Sequence, residues 1–208
     1  MTPTEPQPKP DYSQFDPRKQ TPQRGDNRRN YAFIDSQNLN LGIQKVGWKM
    51  DWRKFRQFLK KEYGVEKAYM FIGYIADNIS MYEQLHESGY LIVLKRTLEV
   101  KNPDADKKPE SAEPAKPTVK GNIDSELVLW AMKELPHYDK AIIVSGDGDF
   151  FALVEYLEQQ HKLLHLLVPN WQYSSLLKDY EKYIVRLDKL RRQLSYRDRR
   201  HSHKPKQA

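Results

Sequence analysis

Six short apolar runs, set apart by one-sided helical patterns and polar segments, constrain this chain more than any other feature. They are YAFID (31–35), EKAYMFIGYI (66–75), YLIVLK (90–95), KAIIVSG (140–146), KLLHLLVP (162–169) and KYIVRL (182–187). A strand that reads as a nearly unbroken apolar run is one covered on both faces, the mark of a parallel sheet with helices on each side. The intervening stretches DWRKFRQFLKKEYG (51–64), NISMYEQLHESG (78–89), NIDSELVLWAMKEL (122–135), GDFFALVEYLEQQ (148–160) and YSSLLKDY (173–180) read as helices. In the first of them Trp52, Phe55, Phe58 and Leu59 share one side. Strand and helix in alternation predict an α/β fold around a mostly parallel sheet. Sheet packing accounts for the apolar helix faces, and no cofactor box is read into them.

Three segments depart from that alternation. Residues 1–29 are rich in proline, glutamine and arginine with few aliphatics, and are expected to be disordered. Residues 100–119 carry four prolines and read as an exposed loop within one domain spanning 30–187. Residues 188–208 read as a basic tail, and cutting after Leu190 is expected to leave the fold intact. The net charge of +7 sits at the ends: residues 186–208 hold nine Lys/Arg against two Asp/Glu, while 31–185 hold twenty against twenty-two. Basic ends of this kind attract phosphate backbones at long range, and equally serve as solubilising tails. With no cysteine, a disulfide framework, a zinc-thiolate site and a cysteine nucleophile are all excluded. No apolar run reaches membrane-spanning length, so a soluble, cytoplasmic protein with no membrane partner is expected.

The chemistry lies in the acidic residues beside the strands. In an open α/β sheet the ligand crevice forms at the carboxyl ends of the strands. Asp35 closes the first run, Asp147 and Asp149 follow AIIVSG, and Asp124 stands near the start of the helix at 122–135. A polar turn with a helix cap explains Asp147 and Asp149 on that stretch alone. Taken as four, the carboxylates resist ionising together unless a cation offsets them. The motifs FIDSQN, GNIDSE and SGDGDF contain no Lys, Arg or His to do so. That donor set suits a hard cation, Mg²⁺ or Mn²⁺, which is well matched to phosphoryl chemistry. Asp35 and Asp147 are the first candidates for holding it, with Asp124 and Asp149 ligating or holding its waters. Asn38 is a candidate for substrate or for a metal-bound water, and also a plain cap. Ser145 and Ser36 cap, orient the aspartates or touch phosphate, while Gly146 and Gly148 let the backbone bend.

The blocks YAFIDSQNLN (31–40), KGNIDSELVLWAM (120–132) and IIVSGDGDFFALVEYLEQQHKLLHLL (142–167) together resemble the three signatures of the NYN domain family, PIN-like proteins that include the LabA-like group. The resemblance spans roughly 30–187. It implies a Rossmann-like three-layer α/β/α sandwich whose acidic pocket binds Mg²⁺ or Mn²⁺ and cleaves RNA. By motif it places the catalytic set on Asp35, Asn38, Asp124, Asp147 and Asp149, with Ser145 beside them. Gly148 replaces a frequent small polar residue, a change expected to matter little. The loop at 100–119 is longer than a compact member needs and adjoins Lys120 and Asp124.

For the substrate, Lys95, Arg96 and Lys120 are expected to line a groove, with Lys45, Lys49 and Arg53 as a second basic edge. Trp48 and Tyr74 are candidates for stacking on bases, and Arg191–Lys206 for raising the local RNA concentration. A recessed carboxylate pocket favours single-stranded or loop RNA over a rigid duplex. The leading expectation is a metal-dependent endoribonuclease. The alternatives are an RNA-binding regulatory or scaffold protein with little turnover, and another metal-dependent phosphoryl-transfer enzyme. A dehalogenase-like phosphatase expects Asp-x-Asp after the first strand, which FIDSQNLN lacks, and a Toprim-type enzyme expects Glu where Asp35 stands. A homodimer or a protein partner held through the termini stays open.

Overall fold

The computed structural model describes residues 29–73, 78–95, 98–99, 119–120 and 123–196, the two short pieces by their backbone. The N-terminal segment, nearly all of the proline-rich loop and residues 197–208 lie outside the described residues.

The elements follow in the order β1 (Asn30–Asp35), α1 (Ser36–Lys45), α2 (Trp52–Tyr63), β2 (Val65–Gly73), α3 (Ile79–Glu87) and β3 (Leu91–Lys95). After the short antiparallel pair β4 (Leu98–Glu99) and β5 (Val119–Lys120) come α4 (Asp124–Lys133), β6 (Lys140–Val144), α5 (Phe151–Gln159), β7 (Leu163–Val168), β8 (Ile184–Arg186) and α6 (Arg191–Leu194). The main sheet has six strands in the order β3-β2-β1-β6-β7-β8, and each neighbouring pair is parallel. Strand order reverses between β1 and β6, which is where such a sheet opens its ligand crevice.

Alternation along the strands divides the apolar interior into two layers. Ala32, Ile34, Ala68, Met70, Ile142 and Val144 face one layer, completed by Leu39 and Ile43 of α1, Phe55, Phe58 and Leu59 of α2, and Leu85 of α3. Tyr31, Phe33, Tyr69, Phe71, Ala141 and Ile143 face the other, against Leu127 and Ala131 of α4 and Leu153, Val154 and Leu157 of α5. The fold is therefore the α/β sandwich expected. Each fully buried Leu, Ile or Phe contributes about 1.5–3 kcal/mol through area removed from water.

Three features differ from the sequence expectation. SQNLNLGIQK forms α1 although it holds two asparagines and a glycine, which are weak helix formers. Its first turn is capped by Asp35, and Leu39 and Ile43 are buried, so tertiary packing overrides propensity. The segment at 173–180 is not an α-helix: Ser175–Tyr183 forms 3-10 turns kinked at Tyr180. Residues 188–196 are part of the packed unit. Leu194 is fully buried, its carbonyl accepts from Asp51 N at 2.8 Å, and Ser195 bridges Met50.

Candidate active site

Asp35 is the last residue of β1 and the N-cap of α1, a junction with no intervening loop. It is only 4% exposed. Its Oδ1 accepts from Asn38 N at 3.0 Å, and its Oδ2 accepts from the Ser145 hydroxyl at 3.1 Å. Across the reversal point, Asp147 N donates to Ser145 Oγ at 3.1 Å, and Asp149 N donates to Asp147 Oδ1 at 3.1 Å. Gly146 N donates to Asn38 Oδ1 at 2.9 Å, which ties the loop after β6 to the first turn of α1. Asp124 enters from a third direction, in the first turn of α4.

Loss of solvent pushes the Asp35 carboxyl above the usual carboxylate range, and the charge of Asp147 adds to this, against the lowering bonds from Asn38 and Ser145. Asp124 is raised as well, by desolvation first and then by Asp35, Asp147 and Asp149, with only Lys95 among the leading influences acting the other way. All four carboxylates therefore share one electrostatic environment. Among the described residues, however, no three Asp, Glu or His side chains close into a ready-made set of metal ligands.

The other predicted residues divide sharply. Ser145 is 1% exposed with its hydroxyl both donating and accepting, so it braces the two aspartate segments and is not placed to touch substrate. Ser36 donates to Phe71 O and is structural. Asn38 spends its side-chain oxygen on Gly146, and its Nδ2 donors are uncommitted among the described residues. Lys95 donates to Ser125 Oγ at 3.1 Å and lies 3.9 Å from Glu126, so it is anchored on α4 beside Asp124. Arg96, Tyr74 and the Lys120 side chain lie outside the described residues. Trp48 is 6% exposed and packs in the core, which removes it as an open stacking platform.

Gly148 matters more than the sequence suggests. A Cβ there would stand 2.4 Å from Ser174 Oγ and 3.2 Å from Leu176 Cδ1, because the segment after β7 folds over the SGDGD loop. Ser174 N also donates to Gly146 O at 2.9 Å.

The NYN domain family matches residues 30–188, which include the acidic loop and the capped strand end. The chain belongs to the NYN domain family. NYN domains are a PIN-like, nuclease-related group. Among curated proteins the chain is similar to the low amplitude and bright protein LabA of Synechococcus elongatus, 26% identical over 140 residues, which cover 65% of this chain and 70% of LabA. Among solved structures it is similar to a Vibrio parahaemolyticus protein of unknown function, with a TM-score of 0.57 and 21% identity over 80% of this chain and 97% of that one, a likeness of fold.

Sequence reasoning missed the segment PNWQYS (169–174), which links this NYN pocket to the rest of the sheet edge. Asn170, 4% exposed, donates to Gly42 O at 2.7 Å and accepts from Gln172 N at 2.7 Å. Gly42 admits this approach because a Cβ there would lie 2.6 Å from Pro169. The signal was a Pro-Asn pair straight after an apolar strand.

Proposed function

We propose that this NYN protein is a divalent-metal-dependent ribonuclease that hydrolyses phosphodiester bonds in single-stranded or loop RNA. The observation that carries the reading is Asp35: a buried carboxylate at the strand-order reversal, raised in pKa, with the charge of Asp147 adding to that rise and no Lys, Arg or His bonded to it among the described residues. Protons bind such a group too well for an isolated carboxylate, and a divalent cation would relieve the same strain. The residues fit Mg²⁺ or Mn²⁺ held by one or two carboxylates and otherwise by water, a mode that needs no closed protein cage. When bound, the ion supplies positive charge for the reacting phosphoryl group and lowers the pKa of water.

The chain's own residues supply the rest. Asp35 and Asp147 would hold the ion, the Asp35 carboxylate oriented by the Ser145 hydroxyl, which also anchors the Asp147 backbone, and the Asp147 carboxylate oriented by Asp149 N. Asp124 and Asp149 would orient water or ligate, the latter from an exposed position. The Asn38 amide donors would hold a phosphate oxygen, and Lys95 would flank the strand.

The test is Mn²⁺-dependent cleavage of a mixed RNA by wild type and by Asp147→Asn. Cleavage should fall on the order of a hundredfold or more, while RNA affinity stays within a few-fold. Cleavage that survives both chelation and the substitution would overturn the reading. The lack of a preformed ligand set among the described residues favours one second reading, an RNA-binding scaffold. Wild-type binding with no turnover would select it.

A further inference from the structure

A cavity lies between the end of α1 and the segments that follow β7 and β8. It has a volume of about 340 Å³ and is lined by Lys45, Trp48, Trp171, Gln172, Asp188 and Arg191, among others. That volume lies within the range of small-molecule sites. Trp171 is 55% exposed, so much of a large aromatic face is open to solvent. The Arg186 guanidinium lies 5.7 Å from its ring centroid, and Asp188 fixes that guanidinium through bonds of 3.1 and 2.6 Å. The Arg186–Asp188 pair is internally neutral. Arg191 donates to the Gly47 carbonyl at 2.9 Å and makes no ion pair among the described residues, and exposed Lys45 adds a second positive charge. The result is an aromatic face backed by a fixed cation, over an apolar floor, with two positive charges at the rim.

An aromatic face set within a basic rim is how proteins hold single-stranded nucleic acid without reading its sequence. The cavity also has a defined place relative to the aspartates. Helix α1 starts at the Asp35 cap and ends at Lys45 on the cavity rim, ten residues or about 15 Å along its axis. The Pro169–Ser174 segment packs on α1 through Asn170 and on the acidic loop through Ser174, so this segment joins the two ends.

We propose that this cavity is a base-stacking subsite: Trp171 takes a nucleobase of a single-stranded RNA, and Lys45 and Arg191 hold the adjoining phosphates, a few nucleotides from the acidic pocket. The inference rests on the ribonuclease reading and names where its substrate is held. Only a strand long enough to reach both ends uses the subsite, on the order of four nucleotides.

The test is anisotropy of a labelled uridine decamer with the full chain, under chelation so that the strand stays intact. Trp171→Ala should weaken binding about tenfold, and Trp171→Phe should recover most of it. A decamer of abasic sugar-phosphate should bind wild type about as weakly as the uridine decamer binds Trp171→Ala, and should not sense that substitution. Lys45→Glu, on an exposed helix end, is the second variant. It should weaken the decamer several-fold and reduce the salt slope by about one or more. Equal decamer affinity of wild type, Trp171→Ala and Lys45→Glu overturns the subsite and leaves the ribonuclease reading standing. A wild-type chain that binds no RNA, with or without Mn²⁺, overturns both.

Discussion

The two ends of α1 lie in surroundings built in opposite ways. Over β1 and β6, four carboxylates share one electrostatic environment, and two of them have raised pKa values. After β7 and β8, a solvent-facing tryptophan sits among cations, and the one carboxylate in the cavity wall is already paired. The first end concentrates negative charge, and the second sets an exposed aromatic ring beside positive charge. On the reading proposed above, a cation would offset the first and a polyanionic chain with stackable bases would engage the second. α1 and the Pro169–Ser174 segment join the two ends through the bonds of Asn170 to Gly42 and of Ser174 to Gly146.

The largest effect expected from breaking this arrangement is at the C-terminus. A chain ending at Leu190 loses buried Leu194 and the contacts of residues 194–196 with residues 49–51, and should be destabilised by about 2–5 kcal/mol or fail to fold. A chain ending at Tyr196 should melt like the full chain, while binding RNA more weakly and with a smaller salt slope. Matched thermal melts of the two decide it, and equal midpoints would return residues 191–196 to the role of a tail.

Next is Gly148→Ala. The added methyl meets Ser174, so about 1–3 kcal/mol of stability should be lost and cleavage should fall more than decamer binding. Ser174→Gly in the same chain should recover part of both. A Gly148→Ala protein with unaltered melting and cleavage would show that the segment over the acidic loop yields freely.

The smallest effect is a dependence on pH, and its sign separates the two ends. Asp124 has a raised pKa in the folded chain, so the folded state binds more protons than the unfolded one above the ordinary value of 3.8. Its contribution to stability is therefore most favourable below 3.8 and declines as pH rises through the shifted value. Relative to Asp124→Asn, cation-free wild type should lose stability over that rise, as measured by chemical denaturation at successive pH values. Saturating Mn²⁺ should flatten the difference. Trp171→Ala should leave the slope unchanged, and a slope that it alters would mean that the two ends are coupled.

Much of this was legible in the sequence. Six apolar runs became strands of the main sheet, and FID, NID and SGDGD each lay beside an element that the sheet brings to its reversal point. Such features are local: burial on both faces demands an apolar run, and a tight turn after a strand demands glycine and a capping aspartate. The roles within the site were less legible. Ser145 and Asn38 carry the atoms of substrate contacts, yet the first braces Asp35 against Asp147 and the second gives its oxygen to Gly146. Trp48 and Trp171 are the same residue type in polar surroundings, and only folding buries one and exposes the other.

By itself, then, the sequence determined the layer architecture and the family, because periodicity and short motifs report on neighbours along the chain. Tertiary structure decided which polar atoms were already spent on one another and which faces stayed open. It also set the spacing between the acidic end and the aromatic one. Those outcomes depend on pairs such as Asp35 with Ser145 and Gly42 with Pro169, separated by more than a hundred residues and brought into contact only when the sheet assembles.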